Sequence, residues 1–423
     1  MPAQLLTGNA AAAWGARLAR ADYVPAFPIT PQTEIIETLG RWIDSGEMMG
    51  RMVTMDSEHS MLTAAGAAAS TGVRVFSATS SQGLLHAMEM IYTVTGWRAP
   101  FVLVNVSRGL ASPITLEADH NDVLAARDSG FLQIHCGDCQ EVVDGVVMAY
   151  RLAESSQVRL PVLVNLDGFY LSFTREPVQL PAQEAVDQFL PPFDPGSIRF
   201  TSSAPESQAV AVLGGGPYSY FRYETHLAAR AAVSEYARAS QEFQTRFGRA
   251  MDALERYHCD DAEIVFFMIG SFASKARDAV DQLRAAGQRV GLLRPRLLRP
   301  YPQEDIVKAL AGVRGVAVID QNLSMGHGGV LHTELCAALY GRPNTPAAVL
   351  SFIGGLGGRE IAAQEFYQMA SETRDAMEAG ITPPQRLLYT DGELREVRKL
   401  QAVAAVEREE TSPGVTTGGE AGE

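Results

Sequence analysis

Three residues early in the chain are of types that could do chemistry together: Thr30, Glu58 and Arg108. Arg108 follows a continuous apolar run, Phe101 to Val106, in the step Ser107-Arg108-Gly109, and the ends of parallel strands of this kind carry ligand sites. A guanidinium placed there can grip a carboxylate through two parallel hydrogen bonds. The alternative is an ordinary surface arginine in a loop. Thr30 lies in Pro28-Ile29-Thr30-Pro31, where two prolines fix the backbone and remove two donors, so its hydroxyl is presented on a stiff loop suited to binding. Glu58 sits just after Asp56 and Ser57, both plausible helix N-caps, in a first turn where a carboxylate is favoured by free N–H groups and the helix dipole. Position alone leaves open whether Glu58 only caps a helix or also reacts.

The elements that must hold these residues follow from the pattern around them. Leu62 to Ser70 is almost all Ala, Gly, Ser and Thr, so a helix there can approach neighbouring backbone closely, and Thr71-Gly72 stops it. Val73 to Ala78 reads as a buried strand running into a polar turn, Thr79 to Gly83, with a helix over Leu84 to Thr95 beyond. Gly8 to Arg20 and Thr33 to Trp42 are helical, Tyr23 to Phe27 a short strand, and Leu132 to His135 and Leu160 to Leu166 two further strands flanking a helix over Gln140 to Glu154. Strands alternating with helices argue for a parallel α/β sheet.

From about Pro177 prolines interrupt a stretch of little periodicity, followed by a long polar helix over Glu224 to Tyr257 that reads as a bridge rather than core. Strands at Glu263 to Ile269, Val290 to Leu293, Gly315 to Asp320 and Val349 to Ile353, with helices between, make a second, smaller α/β domain. The expected division is 1–185, a connector with the long helix over 186–258, a second domain over 259–375, and a C-terminal helix with a disordered tail over 376–423; from Glu407 almost nothing is apolar.

A chain of 423 residues, 46% hydrophobic, can bury large cores, and its net charge of −14 would repel nucleic acid and anionic lipid, so neither is an expected partner. No apolar run reaches the ~20 residues that cross a bilayer and no leader pattern opens the chain, so the expected compartment is the cytoplasm. Four cysteines make no disulfide scaffold, and the lone Cys136/Cys139 pair reads as packed thiols rather than a metal or redox site. The glycine runs Gly214 to Gly216 and Gly354 to Gly358 lack the lysine and hydroxyl of a phosphate loop and read as turns. His59 and His86 read as satisfied core or interface histidines.

The runs FPITPQTEI, SEHSMLTAAGAAASTGVRVFSATSSQGLLHAMEM and VSRGLASPITLEADHNDVLAARDSGFLQ resemble the α subunit of pyruvate:ferredoxin oxidoreductase and the related thiamine-dependent 2-oxoacid:acceptor oxidoreductases. FGRAMDALERYHCDDAEIVFFMIGS is similar to the domain junction of that family, RVGLLRPRLLRPYP to its transketolase C-terminal-like domain and IGGLGGRE to its late glycine loop, where Glu360 stands for the usual aspartate. The resemblance implies a pyrimidine-type thiamine diphosphate domain plus a smaller transketolase C-terminal-like domain. It also implies a cofactor site shared with a β subunit that carries the diphosphate and Mg²⁺, and [4Fe-4S] clusters in γ and ferredoxin-like δ partners. By the same resemblance Glu58 hydrogen-bonds the pyrimidine N1′ and favours the tautomer that removes the thiazolium C2 proton, with Pro28 and Ile29 beside the cofactor. Arg108 then holds the substrate carboxylate, with Thr30 close to it. Asp119, Asp122, Arg127 and Asp128 match a family pattern and read as a loop-fixing ion network, and Ser80, Ser81 and Gln82 as a polar turn first and site lining second.

The implied reaction is oxidative decarboxylation of a 2-oxoacid, pyruvate by default, to an acyl-coenzyme A, with electrons passing to ferredoxin or another acceptor. A bulkier acid such as phenylglyoxylate with NAD or ferredoxin is an alternative, and so is a non-catalytic scaffold that keeps only the fold; the presence of Glu58 together with Arg108 argues against the scaffold. No cluster-ligating cysteine pattern and no metal motif for the diphosphate is found in the chain, which points to one subunit of a larger assembly.

Overall fold

A computed structural model describes residues 3–196, 199–207 and 210–411. The apolar runs of the N-terminal half become a five-stranded sheet in the order Leu297–Arg299, Leu132–His135, Val162–Asp167, Val102–Ser107, Phe76–Thr79. Its last four strands run parallel. Helices cover both faces of such a sheet, so its strands are apolar throughout instead of alternating, and every residue of Val102–Ser107 is buried. Pairing sets Thr79 beside Asn105 and Ser107 beside Asp167, which brings the C-terminal ends of three strands to one edge. A parallel ribbon of Tyr23–Ala26 and Arg51–Thr54 extends the sheet through a bridge from Tyr23 to Val75.

The second sheet runs Ala348–Ile353, Gly315–Asp320, Ile264–Phe267, Val290–Pro295, all parallel, with Leu254–Tyr257 antiparallel at its edge. Two expectations change here. The run RVGLLRPRLLRPYP does not stay within the second sheet: Leu297–Arg299 crosses to pair antiparallel with Leu132–His135, satisfying the open edge of the first sheet. The two sheets consequently share one compact unit that reaches Arg386. The long helix spans Gly215–Phe247, earlier than expected, and ends at Gly248 in the left-handed conformation that suits glycine. Nor is it only a bridge, because Ala228, Ala232, Tyr236, Ala239 and Phe243 form a buried stripe packed into the core with Val142, Val146 and Phe189. Small alanines among many charges hid that stripe.

Buried polar links join the sheets. Arg294, fully buried, donates to Glu141 Oε1 at 2.6 Å and to Glu255 Oε2 at 2.5 Å. Burial alone would raise the Glu141 carboxyl, but Arg294 and Arg296 beside it hold it down to about 2. His120 Nε2 lies 2.7 Å from Asp167 Oδ1, and Asp167 also accepts from the Ser271 N–H at 2.7 Å. Burial opposes a charge on His120, yet the Asp167 carboxylate outweighs it and raises the imidazole above its ordinary range.

From Leu387 the chain forms a second unit. Its helix, Asp391–Thr411, opens on a reciprocal cap in which Glu393 N–H donates to Thr390 Oγ1 and Thr390 N–H to Glu393 Oε2. The segment from Glu407 was expected to lack structure; the helix instead continues to Thr411, in keeping with the helix propensity of Glu and Arg. Residues 412–423 of the expected tail lie outside the described residues. Among the described residues no helix is long and apolar enough to cross a membrane.

Candidate active site

Glu58 begins the helix Glu58–Ala69, whose Ser57 cap accepts from the Ser60 N–H at 3.2 Å. The small-residue face packs as its composition requires: a Cβ added at Gly66 would lie 2.4 Å from Val94 Cγ1. The side chain of Glu58 is buried at the head of that helix. Beyond Phe76–Thr79 the expected polar turn is already the start of a short helix, Ser81–His86, separate from the next one, Met88–Gly96. Ser81 takes a left-handed φ of 49°, a costly conformation for a residue with a Cβ, and is held there by its N–H on Asp122 Oδ2 and its hydroxyl on the Gly109 carbonyl. At Gly83 an added Cβ would stand 2.5 Å from Glu58 Oε1 and 2.6 Å from Thr79 Oγ1, so only glycine lets this helix seat against the carboxylate. Three residues on, His86 Nδ1 lies 3.1 Å from Glu58 Oε2. His86 is exposed within this chain, which removes the core half of the expectation of a core or interface histidine.

Arg108 enters the same place from the neighbouring strand end. Its Nη1 donates to the Thr30 carbonyl and its Nη2 to Gln82 Oε1, both at 2.7 Å. Each of these nitrogens keeps a second N–H, so a carboxylate can still be gripped. Burial lowers the guanidinium from its ordinary range, with Asp122 opposing. The proline loop is braced from behind: Gln32 Nε2 donates to the Phe27 carbonyl and Asn9 Nδ2 to the Pro31 carbonyl, each at 2.9 Å. That leaves Pro28 and Thr30 exposed and Ile29 half-buried. Gln82 touches Arg108 and Gly83 touches Glu58, so one two-residue step joins the acid, the guanidinium and the Thr30 loop.

The organising group behind this step is Asp122. Fully buried, it accepts from Ser107 Oγ at 2.6 Å, Asn105 Nδ2 at 3.1 Å, and the N–H groups of Ser81 at 3.0 Å and Arg108 at 3.2 Å. Burial raises its carboxyl, against the pull of the Ser107 and Asn105 hydrogen bonds. The expected ion network is thus a hydrogen-bond hub centred on one carboxyl, with Arg127 standing 3.7 Å from both Asp128 and Glu334. No local pattern marks Asp122 as that hub, since its partners come from two other segments, Ser81 from one and Asn105, Ser107 and Arg108 from the other. Gln82, expected as turn before lining, is an Arg108 partner.

Four buried polar atoms around the step lack a protein partner: Thr79 Oγ1, Ser80 Oγ, Gln82 Nε2 and Arg108 Nε. Orphaned buried groups of this kind call for a polar partner from outside the chain, and with the buried Glu58 carboxyl they fit the amino-pyrimidine of a thiamine cofactor and a 2-oxoacid carboxylate. Among the described residues no three or more His, Cys, Asp or Glu are grouped to hold a metal ion. Cys136 and Cys139 are both buried free thiols, and burial pushes both up, away from the reactive thiolate. Glu360 of the glycine loop is exposed and paired with Lys275.

Residues 14–242 match the family described as pyruvate flavodoxin/ferredoxin oxidoreductase, thiamine diphosphate-binding, and residues 262–366 match core domain II of pyruvate:ferredoxin oxidoreductase. The chain is 40% identical to pyruvate synthase subunit PorA of Methanothermobacter thermautotrophicus, over 89% of this chain and 96% of that one. It is 38% identical to ketoisovalerate oxidoreductase subunit VorA of Pyrococcus horikoshii, over 89% of this chain and 95% of that one. In fold it is similar to the 2-oxoglutarate:ferredoxin oxidoreductase of Magnetococcus marinus, with a TM-score of 0.66 at 19% identity, covering 88% of this chain and 65% of that longer chain. With a thiamine diphosphate domain, a following core domain II and close likeness to PorA and VorA over nearly its whole length, the chain belongs to the pyruvate:ferredoxin oxidoreductase family as a subunit of the α type, part of a 2-oxoacid:ferredoxin oxidoreductase.

Proposed function

We propose that this chain supplies the pyrimidine-facing half of a thiamine diphosphate site, and that a β subunit closes the site with the diphosphate and Mg²⁺ ligands. The observation that carries the reading is the convergence of the buried Glu58, Arg108 and four unpartnered polar atoms on one sheet edge. Bound thiamine diphosphate supplies a nucleophilic carbon and an electron sink for the decarboxylation of a 2-oxoacid. Glu58 holds a proton at the pyrimidine N1′, with Pro28 and Ile29 lining the approach. Arg108, anchored on Thr30 and Gln82, orients the substrate carboxylate, and the Thr30 loop fixes that anchor. Electrons leave through [4Fe-4S] clusters in γ and ferredoxin-like δ subunits to ferredoxin, the acyl group passes to coenzyme A, and the complex works in the cytoplasm.

Pyruvate is the first substrate reading, supported by the 40% identity to a pyruvate synthase subunit. A branched 2-oxoacid is the second, favoured by the nearly equal 38% identity to a ketoisovalerate subunit. The test is Arg108→Ala in the assembled complex, assayed with pyruvate and 2-oxoisovalerate. Substrate use falls steeply while thiamine diphosphate affinity holds; an equal loss of both assigns Arg108 to cofactor or fold instead. The acid preferred by the unmodified complex decides between the substrates.

A further inference from the structure

We propose that His86 is a positioning residue for Glu58: its Nδ1, 3.1 Å from Oε2, fixes the orientation of the carboxyl. The inference rests on the reading of Glu58 as the acid that faces the pyrimidine.

The two carboxyl oxygens of Glu58 have different surroundings. Oε1 is pressed against the backbone of Gly83, where a Cβ would come within 2.5 Å, and Oε2 meets the His86 ring. Apart from His59, which lies 3.4 Å from Glu89, the remainder of the helix that carries Glu58 is Ala, Gly, Met, Leu, Ser and Thr, and among the described residues no side chain other than His86 hydrogen-bonds the carboxyl. A buried carboxyl with a single partner depends on that partner for its rotation and for the cost of holding charge away from water. The imidazole can serve in either protonation state. With the proton on Nδ1 it donates to the ionised carboxylate; with the proton on Oε2, Nδ1 accepts.

The side chains differ sharply in exposure within this chain, 59% for His86 against 6% for Glu58, so His86 is the group of the pair that reaches the surface. It does so from a helix only six residues long, seated by Gly83, which makes the His86–Glu58 contact a consequence of the same glycine that sets the carboxyl in place.

The experiment compares His86→Leu, His86→Asn and Glu58→Gln in the native multi-subunit complex. Two quantities are read: the dissociation constant for thiamine diphosphate, and hydrogen–deuterium exchange at C2 of the bound cofactor. His86→Leu slows exchange by about tenfold or more, the scale of hydrogen bonds that orient metal-binding side chains. His86→Asn, which keeps an N–H near the Nδ1 position, restores most of the rate, and both bind the cofactor as the unmodified complex does. Unchanged exchange in His86→Leu beside slow exchange in Glu58→Gln overturns the role of His86 and leaves that of Glu58 standing. Equal losses in the Leu and Asn variants overturn positioning by the N–H. Unchanged exchange in Glu58→Gln overturns the cofactor reading itself and this inference with it.

Discussion

Gly83→Ala is a one-methyl perturbation whose consequence follows from two distances. The new Cβ would stand 2.5 Å from Glu58 Oε1 and 2.6 Å from Thr79 Oγ1, whereas ordinary contacts begin at 3.4 Å. Gly83 is in a helix with an ordinary backbone conformation, so the alanine meets no torsional penalty and its helix preference even favours folding by about 1 kcal/mol. Overpacking works the other way, typically by ~1–3 kcal/mol, and the net change in stability is accordingly small. Activity responds more strongly. Glu58 or the Ser81–His86 helix must retreat by roughly 1 Å in a close-packed interior, and a displacement of that size in a reacting group costs ~10²-fold in rate. The assay is turnover of the purified complex carrying the variant, alongside its urea unfolding midpoint. Turnover within a factor of about two of the unmodified complex would refute the reasoning, because it would mean the carboxyl position beside Gly83 does not matter to the chemistry.

Asp122→Ala removes the acceptor for Ser107, Asn105 and two backbone N–H groups at once, so unfolding in urea should require about 3 kcal/mol less; an unchanged midpoint contradicts the hub. Glu141 has its folded value held near about 2 against an ordinary 4.5, so its contribution is present above the ordinary value and is lost as pH falls toward the folded one. Stability against urea should therefore decline across that acid window more steeply in the unmodified chain than in Glu141→Gln, and equal slopes would show that Arg294 does not stabilise its charge. His120 is raised, so its contribution is complete below its ordinary range and disappears as pH climbs through the folded value; His120→Asn should flatten the alkaline decline, and an unaltered decline would remove His120 as its source.

Much of this arrangement was legible in the residues. The Ala/Gly-rich helix after Ser57 packs tightly because nothing larger than a methyl intervenes at Gly66, and the apolar runs ending at Thr79 and Ser107 are neighbouring parallel strands. Thr30, Glu58 and Arg108 could be named from sequence, but their meeting depends on strand order, which periodicity does not carry. The roles of Gln82, Asp122 and His86 depend on contacts between segments far apart in the chain, where local propensity is silent. The crossing of Leu297–Arg299 into the first sheet was missed for the same reason: three residues hold too little pattern to tell which edge they will satisfy. The buried stripe of the Gly215–Phe247 helix was missed because alanine contributes little to an apolar moment even where it packs fully.

The central claim is that Glu58 acts chemically on the cofactor and is not merely the first carboxylate of a helix. Hydrogen–deuterium exchange at C2 of thiamine diphosphate, bound to the assembled complex carrying Glu58→Gln, tests it before any substrate arrives. Glutamine keeps the size and hydrogen-bonding capacity of the side chain but cannot give up a proton to N1′. The account predicts cofactor binding like that of the unmodified complex with exchange slowed by ~10²- to 10⁴-fold, the scale of a lost general acid–base group. Exchange at the unmodified rate would contradict it and return Glu58 to the role of a helix-terminal carboxylate.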